Sequence, residues 1–227
     1  MQIIPAILPK NIEDIRSSLA RVVGLIEWVQ LDIADGTFVN SQTWPYNGED
    51  AQQFEEIMAE EQGLPYWDQF NFEFDLMVKD AKDSLATFVT MGASRILFHL
   101  EAEQEDELLD FLEGIDPFLR ETIEFGIAFC PSTSLEKVYP FIPYIDVVQC
   151  MGSDTLGQHG EDLDQRVYNI VENIHTRYPD IPLQVDIGVN KETAPLLCAA
   201  GATQLVSGSM IWSSNNIQEL LNTFESL

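Results

Sequence analysis

The feature that most constrains the fold is a regular alternation of short apolar runs with amphipathic helical patterns, repeated eight times along 227 residues. Alternation of this kind predicts a parallel sheet, and eight units predict a closed (β/α)8 TIM barrel. A doubly wound open sheet is the alternative, but it usually has a glycine-rich first turn, whereas residues 5–9 read Pro-Ala-Ile-Leu-Pro. Because no Pro/Ser-rich linker divides the units, we expect a single domain over 1–227. The predicted strands are 2–8, 28–33, 70–77, 95–100, 124–129, 145–150, 183–187 and 204–207, and the predicted helices are 12–23, 50–62, 80–91, 105–120, 134–141, 163–178, 193–200 and 216–227.

The balance of charge restricts the possible partners. With 38 acidic and 11 basic residues, the formal net charge is −27, which argues against nucleic acid or an anionic membrane surface as a partner. No apolar run reaches about 18 residues, so we expect no membrane span. The N-terminus lacks the basic region of a signal peptide, and we therefore expect a cytoplasmic protein. The three widely spaced cysteines fit neither a disulfide framework nor a structural zinc site.

Polar residues stand near the C-terminal ends of several predicted strands, where barrel enzymes place their active sites. Three carboxylates from three strands would converge in one mouth, which like charge disfavours unless a cation neutralises them or one is protonated. An all-oxygen set suits Mg²⁺, Mn²⁺ or Ca²⁺ better than Zn²⁺. The alternative is that these groups cap loops or pair with the few basic residues. The residues are Gln30, Asp32, Asp75, His99, Gln149 and Asp186.

The last two predicted strands are followed by glycine-containing turns. Gly188 follows the seventh strand, and Gly208 and Ser209 follow the eighth. Turns of this kind before helix N-termini expose backbone N–H groups to an anion, and a TIM barrel often binds phosphate after its seventh and eighth strands. The sequence therefore predicts a phosphate site at these turns.

Several segments, taken together and in order, resemble the ribulose-phosphate 3-epimerase family along nearly the whole chain. The most specific reads Leu-Asp-Ile-Ala-Asp-Gly-Thr-Phe-Val at 31–39, and others are Asp-Leu-Met-Val at 75–78, Cys-Pro-Ser-Thr at 130–133 and Val-Asp-Ile-Gly-Val-Asn at 185–190. The resemblance implies a barrel of the ribulose-phosphate-binding type. Related decarboxylases carry a lysine two residues after the strand-two aspartate, where this chain has Ala34.

The resemblance also implies roles for individual residues. Enzymes of that family abstract a proton beside a ketone with one aspartate and return it on the other face with a second, and a divalent metal stabilises the enediolate. Asp32 and Asp186 match this acid/base pair, which a two-base epimerisation requires. Gly188, Gly208 and Ser209 match positions of the phosphate cradle. The implied partner is a small sugar phosphate, with no organic cofactor and a possible homo-oligomer.

The chain departs from the family's pattern at the mouth. The two metal-binding histidines are replaced by Gln30 and Asp75, the substrate-contacting serine of the first strand by Ala6, and the first glycine of the strand-seven pair by Ile187. The loop over 152–158 also differs. We therefore expect Mg²⁺, Mn²⁺ or Zn²⁺ at a site formed by the residues at the two histidine positions and the two aspartates, and substrate contacts from strands one and six. The metal-site residues are Gln30, Asp32, Asp75 and Asp186, and the substrate contacts are Ala6 and Gln149.

Three functions compete on these residues. The first is an active sugar-phosphate epimerase or isomerase, and the second is a non-catalytic or repurposed homologue that binds a small (phospho)sugar or a protein partner. The third is an aldolase or decarboxylase, which would need a lysine at the mouth, and no strand end carries one. Of the histidines, His99 is expected to be a buried, hydrogen-bonded imidazole, and His159 could reach the mouth from its loop.

Overall fold

Eight parallel strands close into a barrel in which each strand pairs with its neighbours in chain order and the last strand pairs with the first. A computed structural model describes residues 1–158 and 160–225 of the chain. The TIM-barrel prediction is thereby confirmed, and each strand lies within two residues of its predicted bounds. The strands are β1 (Gln2–Ile7), β2 (Trp28–Ala34), β3 (Asn71–Met77), β4 (Ala93–His99), β5 (Glu124–Phe129), β6 (Val147–Met151), β7 (Leu183–Asp186) and β8 (Gln204–Ser207).

The helices surround the barrel but are shorter and more often interrupted than the sequence predicts. The predicted helix 105–120 is two helices, because the first ends at Gly114 and Asp116 caps a second that begins at Pro117. Two other predicted helices contain 3-10 turns, Ala81–Ser84 and Tyr139–Tyr144, the latter with a proline inside it. The end of the predicted helix 216–227 lies outside the described residues. The helices are α1 (Ile12–Ala20), α2 (Ala51–Met58), α3 (Leu85–Thr90), α4 (Glu105–Glu113), α5 (Pro117–Arg120), α6 (Leu135–Val138), α7 (Arg166–Arg177), α8 (Ala194–Ala200), α9 (Ser209–Trp212) and α10 (Ile217–Glu225).

The first helix shows how local sequence sets these elements. The Asn11 side chain accepts a hydrogen bond from the backbone N–H of Asp14 at 2.8 Å, so it caps the start of α1. Ile12, Ile15 and Leu19 recur at helical spacing and are buried against the barrel. No helix of 1–158 or 160–225 is long and apolar enough to cross a membrane.

The interior of the barrel is unusually polar at its N-terminal end. Arg95 on β4 contacts Glu73 on β3 at 2.6 Å, and both side chains are buried. The guanidinium also contacts Glu124 and lies 4.3 Å from the ring centroid of Trp28. Burial raises the pKa of Glu73, and the Arg95 charge partly offsets that effect. Each of these buried charges would be costly alone, and the ion pair at the N-terminal end of the barrel offsets that cost.

Candidate active site

A cavity of about 220 Å³ opens at the C-terminal ends of the strands. Asp32 lies opposite Asp75 in the β2–β3 register, and Met151 lies opposite Asp186 in the β6–β7 register. The strands thus bring carboxylates from distant parts of the chain to one level of the barrel. Among the residues that line the cavity are Ala6, Asp32, Met77, Met151, Glu161, Asp162, Asp186, Ile187, Gly188, Asn190, Ser207, Gly208 and Ser209.

The proposed acid/base residues are linked by a single amide group. Gln30 Nε2 donates to Asp32 Oδ1 at 2.7 Å and to Asp186 Oδ2 at 3.2 Å. The other oxygen of Asp186 accepts from the backbone N–H of Ile187 at 2.7 Å. Asp32 and Asp186 are each more than nine-tenths buried, and Gln30 is completely buried beneath them. Two carboxylates from opposite parts of the sequence therefore face the same small space.

The third carboxylate has partners of its own. Asp75 Oδ1 lies 2.8 Å from His99 Nε2, and Asp75 Oδ2 accepts from Gln149 Nε2 at 3.3 Å. All three side chains are completely buried. His99 also packs against the ring of Phe38, with 5.5 Å between ring centroids. Its Nδ1 atom is buried without a hydrogen-bond partner among the described residues.

Burial and like charge together change the protonation of this cluster. Burial, followed by the charges of Asp186 and Asp75, raises the pKa of Asp32 well above its ordinary value. Burial, followed by the charge of Asp75, raises the pKa of Asp186 to about 7. For His99, burial lowers the pKa, but the charge of Asp75 and the hydrogen bond to it outweigh burial, so the net shift is upward. The upward pKa shifts of Asp32 and Asp186 favour carboxyl protonation, which is one of the two routes to neutralisation predicted from the sequence.

The three aspartates also meet the basic requirement of a cation site. One carboxylate oxygen from each of Asp32, Asp75 and Asp186 lies within 4.8 Å of the others. Three carboxylate oxygens suit a hard divalent cation such as Mg²⁺ or Mn²⁺. Gln30, however, presents its NH2 group to Asp32 and Asp186, and an NH2 group is not a ligand for a cation.

The predicted phosphate positions lie at the rim of the same cavity. Gly188 has φ of +72°, and a Cβ there would lie 2.5 Å from the backbone nitrogen of Leu163, so only glycine fits without displacement. Gly208 immediately precedes the short helix α9, which begins at Ser209. Ile187 also has positive φ, +75°, a conformation that strains a β-branched residue. Its side chain stands at the position where the resemblance seen in the sequence implies a glycine.

The loop after β6 crosses the turn after β7 at backbone level. The N–H of Gly152 donates to the carbonyl of Asp186 at 2.5 Å, and the carbonyl of Gly152 accepts from the N–H of Asp164 at 2.7 Å. A Cβ at residue 152 would overlap the carbonyl oxygen of Ile187. Farther along, Gly157 packs against Val39 and so brings this loop to the β2 end of the mouth. His159 lies outside the described residues.

Of the sequence-predicted site residues, the structure places Ala6, Asp32, Asp186, Gly188, Gly208 and Ser209 on the cavity wall. The remaining three, Gln30, Asp75 and Gln149, are completely buried in the layer below. Gln184, which connects this layer, was missed. It stands two residues before Asp186 on β7, and that spacing puts both side chains inside the barrel, so strand alternation could have found it.

Comparison with known proteins agrees with the resemblance seen in the sequence. Residues 2–212 match the model of the Ribulose-phosphate 3 epimerase family. Ribulose-phosphate 3-epimerase of Candida glabrata is 26% identical, over 97% of this chain and 89% of that protein. The cytoplasmic isoform of ribulose-phosphate 3-epimerase from Oryza sativa subsp. japonica is 24% identical, over 97% of this chain and 91% of that protein.

Solved structures share the fold at lower identity. KGPDC from Streptococcus mutans, in complex with D-R5P, superimposes with a TM-score of 0.69 and 14% identity, over 99% of this chain and 95% of that chain. 3-Hexulose-6-phosphate synthase from Salmonella typhimurium gives a TM-score of 0.67 and 11% identity, over 100% of this chain and 97% of that chain. At these identities the comparison supports the barrel fold alone.

Proposed function

The chain belongs to the ribulose-phosphate 3-epimerase family, and on this premise we propose that it epimerises a ketose phosphate with Asp32 and Asp186 as the acid/base pair. The observation that carries the proposal is the arrangement of these two buried carboxylates, which share one amide donor, Gln30 Nε2. Epimerisation beside a carbonyl needs a base on one face of the carbon and an acid on the other. Asp32 on β2 and Asp186 on β7 stand three strands apart around the barrel and can supply both if the substrate carbon lies between them.

The protonation of the pair suits this chemistry. The pKa of Asp32 is raised, and that of Asp186 is raised to about 7 by burial and the neighbouring charge of Asp75. At neutral pH two such groups, sharing one space, favour a state with one proton between them. The ionised carboxylate takes the proton from the carbon beside the ketone, leaving an enediolate. The protonated carboxyl returns its own proton to the opposite face, so the two residues exchange protonation states in each turnover.

A divalent cation is compatible with this arrangement. Mg²⁺ or Mn²⁺, or Zn²⁺ with weaker preference, would be held by Asp32, Asp75 and Asp186, and when bound it would neutralise the negative charge of the enediolate. Asp75 is also held by protein contacts, since one of its oxygens lies 2.8 Å from His99 Nε2 and the other accepts from Gln149 Nε2.

The phosphate of the substrate is proposed to bind at the rim formed by Gly188, Gly208 and Ser209. Backbone N–H groups at such turns supply hydrogen bonds without positive side chains. This matters here because the described residues that line the cavity include no lysine or arginine. The same observation gives no support to an aldolase or decarboxylase that depends on a mouth lysine. Cytoplasmic location and homo-oligomerisation stay predictions.

The experiment is an exchange assay with ribulose 5-phosphate in D2O, in the presence of Mg²⁺, Mn²⁺ or Zn²⁺ in turn. The proposal expects xylulose 5-phosphate with one solvent deuterium at the epimerised carbon, and at least about 10³-fold slower turnover by Asp32→Asn and by Asp186→Asn. The control is Asp154→Asn, which should retain activity. Asp154 forms an ion pair with Arg166 and does not contact Asp32 or Asp186. Absence of deuterium uptake with every metal would remove this substrate.

A second candidate is a homologue that binds a sugar without turning it over. The side chain of Ile187 on the cavity wall favours it, because a branched residue stands where phosphate would approach the backbone. Thermal-shift measurements with ribulose 5-phosphate, inorganic phosphate and neutral ribulose distinguish the candidates. Stabilisation by the neutral sugar alone, without deuterium uptake from either sugar, would favour the non-catalytic homologue.

A further inference from the structure

A chain of buried amide groups runs from the bottom of the barrel to the aspartates at its mouth, and its direction is fixed at the bottom. Arg95 Nη1 lies 3.2 Å from Gln184 Oε1 and 3.1 Å from Gln204 Oε1, in addition to its contact with Glu73. A guanidinium can only donate hydrogen bonds. The atom of the Gln184 amide that faces Arg95 must therefore be its oxygen.

The opposite end of that amide then has to donate. Gln184 Nε2 lies 2.6 Å from Glu73 Oε1, 2.7 Å from Gln149 Oε1 and 3.1 Å from Gln30 Oε1. The two latter glutamines consequently turn their oxygens down towards Gln184. Gln30, Gln149 and Gln184 have no exposed surface, so solvent is not available to satisfy an amide turned the other way.

The upper ends of these two amides are NH2 groups, and each meets a carboxylate. Gln30 Nε2 contacts both Asp32 and Asp186, and Gln149 Nε2 contacts Asp75. Turning Gln30 over would set its NH2 against the NH2 of Gln184 and its oxygen against two carboxylates. Both contacts would be unfavourable in a dry interior.

From this polarity we infer that Gln184 is a positioning residue whose amide is oriented by Arg95. Gln184 in turn orients Gln30 and Gln149 so that their NH2 groups donate hydrogen bonds to the three aspartates. Neither glutamine then joins the aspartates as an oxygen ligand of a cation. The inference deepens the proposed function, since Asp32 and Asp186 are the proposed acid and base. It also replaces the sequence-based interpretation of Gln30 as a metal ligand. The oxygen atoms that this cluster offers to a cation are then those of Asp32, Asp75 and Asp186.

The direct test observes the amide hydrogens and requires no turnover. In ¹⁵N-labelled full-length protein, the side-chain NH2 resonances of Gln30 and Gln149 are assigned by their loss in Gln30→Met and Gln149→Met. We expect both to be protected from exchange with solvent. In Gln184→Met we expect their exchange to become at least about tenfold faster, which corresponds to 1.4 kcal/mol of lost protection.

Gln204→Met is the matched control. Gln204 also accepts from Arg95 Nη1, but its NH2 group donates to Gln2 and not to the mouth amides. The inference expects exchange at Gln30 and Gln149 to stay within about twofold of the unsubstituted protein in this variant. Equal effects of the two substitutions, or no effect of Gln184→Met, would overturn it.

A second measurement covers the case in which Gln184→Met does not fold. Mn²⁺ binding is compared by calorimetry between the unsubstituted protein, Gln30→Met and Asp75→Asn. If Gln30 is a donor and not a ligand, Gln30→Met weakens Mn²⁺ binding much less than Asp75→Asn, which removes a ligand oxygen. Weakening in Gln30→Met equal to that in Asp75→Asn, by about tenfold or more, would indicate an oxygen ligand and refute the inference. Neither measurement changes if the protein proves inactive on ribulose 5-phosphate, so the two proposals fail separately.

Discussion

Replacing Asp186 by asparagine should make the protein more stable at alkaline pH, although it removes a proposed catalytic group. The side chain is 8% exposed, and above its pKa of about 7 its carboxyl is ionised close to Asp32 and Asp75. Asparagine has nearly the same shape and carries no charge. It can still accept one of the two hydrogen bonds that Asp186 accepts from Ile187 and Gln30.

The magnitude follows from the pKa. Burial and like charge raise the pKa of Asp186 from 3.8 to about 7. At about 1.36 kcal/mol per pKa unit, ionisation in the folded state lowers the free energy of unfolding by about 4 kcal/mol. Because the folded protein binds this proton more tightly than the unfolded chain, the lowering develops as pH rises from about 4 and levels off above about 7. About 3 kcal/mol of it falls between pH 5 and pH 8.5, while the lost hydrogen bond costs about 1 kcal/mol at either pH.

The assay is urea unfolding of the unsubstituted protein and Asp186→Asn at several pH values from 5 to 8.5. The stability of the variant relative to the unsubstituted protein should increase by about 3 kcal/mol across this range. Glu113→Gln, which removes an exposed charge from α4, is the control and should show a difference within about 0.5 kcal/mol at every pH. A relative stability of Asp186→Asn that is constant with pH, or that falls as pH rises, would refute the proposed burial of an ionised carboxyl.

Three further predictions concern the barrel bottom, the cradle and the surface. Arg95→Met should lower the free energy of unfolding by about 3–5 kcal/mol in urea unfolding, because it leaves Glu73 buried without its positive partner. The double variant Arg95→Met/Glu73→Met should recover most of that loss, and no recovery would contradict a paired charge. Ile187→Gly should tighten binding of ribulose 5-phosphate by about tenfold, or 1.4 kcal/mol, measured by calorimetry. Glycine adopts positive φ freely and removes the branched side chain from the proposed phosphate site. Unchanged binding would show that residue 187 does not affect phosphate binding. Raising NaCl from about 0.1 to 1 M shortens the Debye length from about 10 to 3 Å and so screens repulsion among the acidic residues that give the net charge of −27. The Tm should therefore rise, and a fall in Tm would contradict destabilisation by that repulsion.

The fold was largely readable from the sequence because a strand–helix alternation needs only local pattern. The strands were accurate because apolar runs and turns bound them closely. The predicted bounds of the helices were less accurate. The predicted helix 105–120 included Pro117, which lacks a backbone N–H and whose ring would clash within a continuous helix, so the chain breaks there into two helices. The short helices of the barrel depend on packing against the sheet rather than on helical propensity, which a pattern of charged and apolar residues does not measure.

The site was readable only in part. The alternation of side chains along strands put Asp32, Asp75 and Asp186 at one end of the barrel, and the structure brings them together. Which groups pair with them depends on the stagger between strands, which no local pattern contains. The pairing of Asp75 with His99 across β3 and β4 is an example. The direction of the Gln30 amide is another, because it is set by residues up to 154 positions away along the chain.

The loop after β6 and the turn after β7 constrain each other's sequence, because their backbones meet at Gly152. Since any side chain at that position would overlap the carbonyl of Ile187, a β6 loop taken from another barrel fits here only if it begins with glycine or brings its own β7 turn. Exchange of one loop alone would therefore disturb the backbone contact between Gly152 and Asp186, while exchange of 152–190 as a block would preserve it.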